Sequence, residues 1–357
     1  MIKKLAQMNI LTCPNCKDGN NEPDLILRKK NNSRFFVCKS CNYWYPIKEG
    51  IPILLPQELQ NPKADGGGFL GQLYMHDIKF KYTNDNVPNY HNKRLERCPL
   101  KLKMCDGYQK TIYLSSIFSK TGVKDEPPLS KSFHRTRKIL LDSLIQREYN
   151  REKLFADFGC ADGLYLLRHR KGFREAIGLD ICFPIKVKKN AELNGIDILI
   201  IQGDLERLPF KSDSIDIGLS TETLEHCPKL EDALKELKRV LRQKLICSVP
   251  YNKAVPRPFV YLEEGTIVHH DEEEERAYRL KKINDTRPTH EWDFNPVLFP
   301  EYINKNHFKV HKILYSVNIP FPHDIFAPLQ LLFAKHLKQK PFSSTGSLIF
   351  VGEPIKA

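Results

Sequence analysis

The sequence predicts an α/β protein: a doubly wound parallel sheet preceded by a small cysteine-bound ribbon. Three observations predict it. Two C-x-x-C pairs lie near the amino end, three apolar segments each end in an acid at intervals of 23 and 24 residues, and helix-length stretches separate those segments. With 357 residues and 41% hydrophobic side chains the chain can bury a full core, which excludes disorder throughout. No apolar run reaches the ~18 residues of a membrane helix. The first residues, M-I-K-K-L-A-Q-M-N-I, lack the apolar core of a signal peptide, so a cytoplasmic location without a membrane span is expected.

The ribbon comes first. Cys13 and Cys16 form one pair, Cys38 and Cys41 the other, with 21 residues between the pairs. Each C-x-x-C turn aims two thiolates at one point, and two turns complete a tetrahedral shell for zinc. Four thiolates leave no position for substrate, so this zinc is expected to be structural; a redox pair or two disulfides are the alternatives. Leu25–Leu27 and Arg34–Val37 read as the ribbon strands. Together with these cysteines, the string Tyr45-Pro46-Ile47-Lys48-Glu49-Gly50-Ile51-Pro52-Ile53-Leu54-Leu55-Pro56 resembles, over roughly residues 10–58, the zinc-ribbon module that serves as activator subunit of tRNA and protein methyltransferases and occurs in bacteria as a short free-standing protein. It is also similar in placement to the zinc finger at the front of rRNA guanine-N1 methyltransferases. Both resemblances imply a neighbour that moves methyl groups.

Charge divides the chain. Residues 1–64 carry +5 and residues 65–153 carry +7, so +12 of the net +13 lies in the first 153 residues, while residues 154–250 are neutral. The two parts therefore present different surfaces. Residues 1–60 read as a zinc-ribbon domain, 61–130 as a loop-rich basic connector, and 131–357 as the sheet domain, with a lid or substrate insertion at about 251–307. In the connector, Cys98 and Cys105 near His91 fit no common metal knuckle. The apolar spacing of Phe133, Ile139, Leu140, Leu144 and Ile145 predicts an amphipathic helix over Ser132–Glu148, with Arg135, Arg137 and Lys138 on its solvated face.

Leu154–Gly159 is an apolar run ending in Asp157 and Gly159, and Cys160-Ala161-Asp162-Gly163 leads into Leu164-Tyr165-Leu166-Leu167, which reads as strand, glycine turn, helix. The dinucleotide fingerprint would need glycine at 161 and 164, so hydride transfer is disfavoured. Ala176–Asp180 is a second strand, and a carboxylate at Asp180 can accept hydrogen bonds from both hydroxyls of a ribose. Ile198–Asp204 is a third strand, ending where an acceptor can meet the exocyclic amine of adenine. Ser214–Ser220 supplies a fourth. Three acids along one strand edge point to a bound nucleoside.

These residues, D-F-G-C-A-D-G at 157–163, G-L-D at 178–180, G-D-L-E-R-L-P-F at 203–210 and S-I-D-I-G-L-S-T-E-T-L-E-H at 214–226, resemble the class I S-adenosylmethionine-dependent methyltransferases, especially the branch that includes quinone C-methyltransferases. The resemblance covers about residues 132–250, with a helix at Leu230–Arg242, a strand at Leu245–Val249 and a closing strand pair near Phe308–Val317 and Leu348–Gly352. It implies a Rossmann-like methyltransferase sheet with S-adenosylmethionine as cofactor. Asp157, Gly159, Ala161 and Gly163 would frame the methionine part and sulfonium, Asp180 the ribose, and Asp204 and Leu205 the adenine. Ala161 departs from the glycine usual in the family.

Methyl transfer from a sulfonium needs positioning above all, and a base only where the nucleophile loses a proton. Candidate catalytic groups are Glu222, Glu225 and His226, of which His226 is the residue type that can exchange a proton near neutral pH. Glu225-His226 recurs in the resembled branch whatever the substrate, so a structural role stands beside a catalytic one. The Asn/Asp-Pro-Pro-Tyr/Phe pattern of exocyclic-amine methylation is absent after the fourth strand. Three functions follow. The neutral sheet half favours a methyltransferase for a small or medium-sized metabolite, acting at O or C. An RNA methyltransferase for an rRNA or tRNA base, with the ribbon and basic connector gripping the RNA backbone, is the alternative; contact of the basic front half with RNA or protein is expected, and a non-catalytic adaptor that binds a partner through the ribbon is disfavoured by the intact acids.

Overall fold

The computed structural model describes residues 1–16, 21–30, 33–60, 128–161, 163–181, 184–227, 229–261, 292–316 and 345–356. Most of the connector expected over 61–130, Asp162, and residues 262–291 of the expected insertion lie outside the described residues. In chain order the elements are α1 (Ile2–Gln7), β1 (Leu25–Lys30), β2 (Ser33–Cys38), β3 (Trp44–Lys48), β4 (Ile51–Leu54), α2 (Gln57–Gln60), α3 (Pro128–Arg147) and β5 (Asn150–Phe158). There follow α4 (Leu164–His169), β6 (Phe173–Asp180), α5 (Ile185–Asn194), β7 (Leu199–Gly203), β8 (Ile215–Thr221) and α6 (Leu230–Val240). The last are β9 (Leu241–Asn252), β10 (Phe259–Tyr261), β11 (Trp292–Phe294), α7 (Leu298–Asn306), β12 (Phe308–Tyr315) and β13 (Thr345–Pro354). The chain divides into two compact units, one of residues 1–111, 149–219 and 239–243, the other of residues 112–148, 220–238 and 244–357.

In the first unit the strand order is β1-β2-β3-β4-β7-β6-β5-β8. Strands β5, β6 and β7 are parallel, with Asp157 opposite Gly178 and Asp180 opposite Gln202. Residues 154–158 and 175–179 are buried without alternation, as expected of parallel strands covered on both faces. A Cβ at Gly178 would stand 2.6 Å from Leu166 Cδ1, so the glycine lets α4 lie close against β6. The ribbon does not end as a separate sheet. Strand β4 pairs in parallel with β7, Ile53 opposite Gln202 and Leu54 opposite Gly203. This junction was not legible in the sequence, where Ile51–Leu55 is merely a short apolar run between prolines.

In the second unit β9, β13 and β12 are antiparallel neighbours, with Phe350 opposite Cys247 and Phe308 opposite Pro354. Phe294, Phe299, Phe308 and Phe350 are fully buried there. Helix α3 forms where the apolar spacing predicted it, but two of its basic residues are not solvated. Arg137 and Lys138 are buried, at 5% and 8% exposure; Lys138 pairs with Asp142 at 2.6 Å, and Arg137 serves the network described below. The helix expected to reach Arg242 ends at Val240, because Leu241 is already in β9 and packs fully buried against Gly218. Among the described residues no helix is long and apolar enough to cross a membrane.

Candidate functional site

The four cysteines converge. Their sulfur atoms lie within 4.8 Å of one another, with Cys13 and Cys41 3.8 Å apart and Cys16 and Cys38 3.9 Å apart. Zinc–sulfur bonds of about 2.3 Å in a tetrahedron place sulfurs about 3.8 Å apart, so the spacing fits the metal. Tyr45, fully buried, brings its hydroxyl 3.0 Å from Cys13 Sγ, a hydrogen bond of the kind that orients a thiolate ligand from behind. Burial pushes the Cys13 thiol up to about 11.

The three acids sit on one sheet edge. Asp157 is buried at the end of β5, and the chain then turns through Gly159 (φ 80°), Ala161 (φ 48°) and Gly163 (φ 81°). Backbone bonds from the Gly159 and Cys160 N–H groups to the Leu179 carbonyl, 2.8 and 3.1 Å, tie this turn to the end of β6. Asp180 continues the tie: its Oδ2 accepts from the Ala161 N–H at 2.8 Å. Ala161 adopts a left-handed backbone without being glycine, and that bond helps to hold it there. Gly163 is doubly constrained, because a Cβ would also meet Val187 Cγ1 at 2.7 Å. Asp204, buried, accepts from the Glu206 N–H at 2.9 Å and so caps the 3-10 turn Leu205–Arg207, whose Leu205 is buried. The structure thus brings Asp157, Gly159, Ala161, Gly163, Asp180, Asp204 and Leu205 to the carboxyl ends of three adjacent parallel strands, the crevice edge where open α/β sheets take ligands.

The ribbon grips the segment that carries Asp204. Thr12 N–H donates to the Pro209 carbonyl at 3.1 Å, and Lys211 N–H donates to the Ile10 carbonyl at 2.8 Å. Asp24 pairs with Lys211 at 2.7 Å, and Glu22 accepts from Ser212 and pairs with Arg239 at 2.7 Å. Those of Glu22 join residues 190 and 217 positions apart, so they leave no local mark in the sequence.

In the second unit, Glu222, Glu225 and His226 follow β8. Glu222 has a left-handed backbone, φ 51°, a strained conformation for a carboxylate-bearing residue. Its Oε1 accepts from Ser248 Oγ at 2.9 Å and Ser347 Oγ at 3.0 Å, and Oε2 pairs with Arg137 Nη1 at 2.5 Å. Glu222 is therefore an internally engaged anchor, and Arg137, Ser248 and Ser347 are the partners that the sequence did not disclose. Glu225 is 1% exposed, and burial first, then the charge of Glu222, push its carboxyl well above the usual range. Its Oε2 has no hydrogen-bond partner among the described residues, as suits a neutral acid. His226 stands in the 3-10 turn Leu224–His226, one-third exposed, with Nε2 3.9 Å from Glu225 Oε1. It is the most accessible of the three, and the Cys227 carbonyl beside it accepts from Trp292 Nε1 at 2.7 Å.

Several known proteins resemble parts of this chain. Residues 156–247, the segment that holds all three acids, match the family described as a methyltransferase domain. An uncharacterized protein of Methanocaldococcus jannaschii, MJ1252, is 33% identical over 131 residues, which span 34% of this chain and about half, 49%, of that protein. A UPF0434 protein of Methylobacillus flagellatus is 36% identical over 58 residues, covering 16% of this chain and 85% of the relative. Among solved structures, geranyl diphosphate C-methyltransferase of Streptomyces coelicolor aligns over 82% of this chain and all of its own, at 11% identity and a TM-score of 0.47.

Proposed function

We propose that this chain, which belongs through its amino-terminal ribbon to the UPF0434 family and carries a methyltransferase domain over residues 156–247, is an S-adenosylmethionine-dependent methyltransferase with a structural zinc. The observation that carries this reading is the set of three acids, Asp157, Asp180 and Asp204, on one sheet edge inside the methyltransferase domain. When bound, the cofactor supplies a methyl group on a sulfonium. The chain's own residues position it: the turn Gly159–Gly163 frames the methionine part, Asp180 accepts hydrogen bonds from the ribose hydroxyls, and Asp204 with Leu205 flanks the adenine. Cys13, Cys16, Cys38 and Cys41 hold the zinc in a closed shell that leaves no site for chemistry.

For the acceptor, His226 is the group suited to take a proton from a hydroxyl or ring N–H, and a carbon acceptor, as in the quinone branch, needs less of it. Glu222 and Glu225 support the loop that carries it. A small or medium-sized acceptor is supported by the neutral charge of residues 154–250. RNA is the second reading, and a specific observation favours it: the ribbon presents an open aromatic and basic sheet face. Incubation of the chain with methyl-labelled S-adenosylmethionine and cell extract, with and without ribonuclease, separates them. Label in ribonuclease-resistant small molecules supports the first, label lost with the RNA supports the second, and no label in any fraction contradicts methyl transfer.

A further inference from the structure

Strands β1, β2 and β3 make an antiparallel sheet with two unlike faces. Leu25, Phe36, Cys38 and Tyr45 point to the buried side, each 8% exposed or less. By strand alternation the other side carries Arg28 opposite Phe35, Ile26 opposite Val37, and Trp44 on the far side of Val37. None of these is buried, and Trp44 is 49% exposed. The Phe35 and Trp44 rings are stacked, centroids 4.2 Å apart and 8° from parallel, and Lys30 Nζ stands 5.3 Å from the Trp44 ring centre. A depression of about 670 Å³ lies over this face. From Leu25 to Lys48 the chain has six Lys and Arg residues and no Asp or Glu; Lys39 among them pairs with Asp24, just outside that stretch.

From this geometry we propose that the outer β1–β2–β3 face of the ribbon binds single-stranded RNA, an unpaired base stacking on the Trp44–Phe35 platform while Arg28, Lys30 and their basic neighbours meet the phosphates. Planar rings at the centre of a sheet with cations around them match the two halves of an unpaired nucleotide, its π face and its anion. A duplex offers no free base face. A protein partner fits less well, because protein interface cores are depleted in lysine, and a rim this rich in cations demands an unusually acidic surface opposite. RNA is the occupant chosen over DNA because exposed, unstacked bases are the ordinary condition of its loops and ends.

Binding is read without methyl donor, so its failure leaves the methyl-transfer reading untouched, and failure of donor binding leaves this one. Fluorescence anisotropy of a labelled 12-nucleotide single-stranded RNA, titrated with the full zinc-loaded chain, is the test. Saturable binding that weakens with salt is expected, with Trp44→Ala lowering affinity about 5- to 150-fold and Trp44→Phe recovering most of the affinity. Lys30→Glu, which removes the cation beside the Trp44 ring, should reduce the steepness of the log–log salt dependence by about 0.7 for each phosphate no longer neutralised. Lys235→Glu, an exposed charge reversal in the second unit, should leave binding unchanged. No saturable binding, equal affinity for duplex RNA or single-stranded DNA, displacement by a polyglutamate peptide as effectively as by unlabelled RNA, or unaltered affinity in both Trp44→Ala and Lys30→Glu would overturn the proposal.

Discussion

Gly163 shows how much one position can carry. Its φ of 81° suits glycine, and a Cβ would sit 2.7 Å from Val187, so Gly163→Ala meets both backbone strain and a clash. We expect it to lower the thermal midpoint and to weaken S-adenosylmethionine binding by an order of magnitude or more, whereas Gly195→Ala, at a helix end with open space around it, should cost little beyond its own φ of 60°. Arg137 is the second such residue. Removing it as Arg137→Met leaves Glu222 with one partner type only, the two serine hydroxyls; because Arg137 is buried but Glu222 only partly so, the loss should fall below the ~3–5 kcal/mol typical of a fully buried pair broken on one side. A double variant, Arg137→Met with Glu222→Gln, should regain much of that stability in urea denaturation; if the single and double variants are destabilised equally, the ion pair is not what holds the loop. At this scale the sequence was partly legible. Asp157, Asp180, Asp204 and the four cysteines stood out because their signals are local, an acid at a strand end or a two-residue gap. Arg137 did not, since a basic residue on an amphipathic helix reads as solvated and its partner Ser347 lies 210 positions away.

At the scale of elements, the ribbon and the parallel strands share a sheet through β4 and β7, and the Asp204 segment is gripped from the ribbon side. Strands β1, β2 and β5–β8 were readable from apolar runs and helix α3 from spacing, but β3 and β4 were not, and strand order is a long-range property that no local pattern contains. Because β4 pairs with β7, the proposed zinc should influence the proposed cofactor edge. Chelation of zinc, or Cys38→Ala, should release the ribbon turns, loosen β4 from β7, and weaken donor binding several-fold even though no cysteine of the ribbon lies on the cofactor edge; metal analysis should give one zinc per chain. The grip is also sensitive to acid. Hydrogen bonds from Lys211 and then Lys39 hold the Asp24 carboxyl down at about 2, below the usual 3.8. A folded-state value below the unfolded one means that its contribution is fully present above 3.8 and is lost as the pH falls through 2. Asp24→Asn should therefore be less stable than the parent at neutral pH, and the gap between the two thermal midpoints should narrow as the pH falls toward 2.

For the whole molecule, the charge distribution and the fold agree. The net +13 is concentrated in the first 153 residues, and part of it forms the open face of the ribbon, whereas residues 154–250, which include the stretch that matches the methyltransferase-domain family, are neutral. The proposed RNA face and the proposed nucleoside site thus fall on differently charged parts of the chain. Composition revealed the imbalance but not its arrangement, because only the register of β1, β2 and β3 places Arg28, Phe35, Val37 and Trp44 on the same side. Binding of S-adenosylmethionine at the three-acid edge is the property on which the proposed function stands, and titration calorimetry of the full zinc-loaded chain with that cofactor tests it most directly. A single site per chain is expected, with Asp180→Ala weakening it by about 1–3 kcal/mol through loss of charge-assisted hydrogen bonds to the ribose. Absence of binding by the parent chain, or equal affinity in parent and Asp180→Ala, would contradict it.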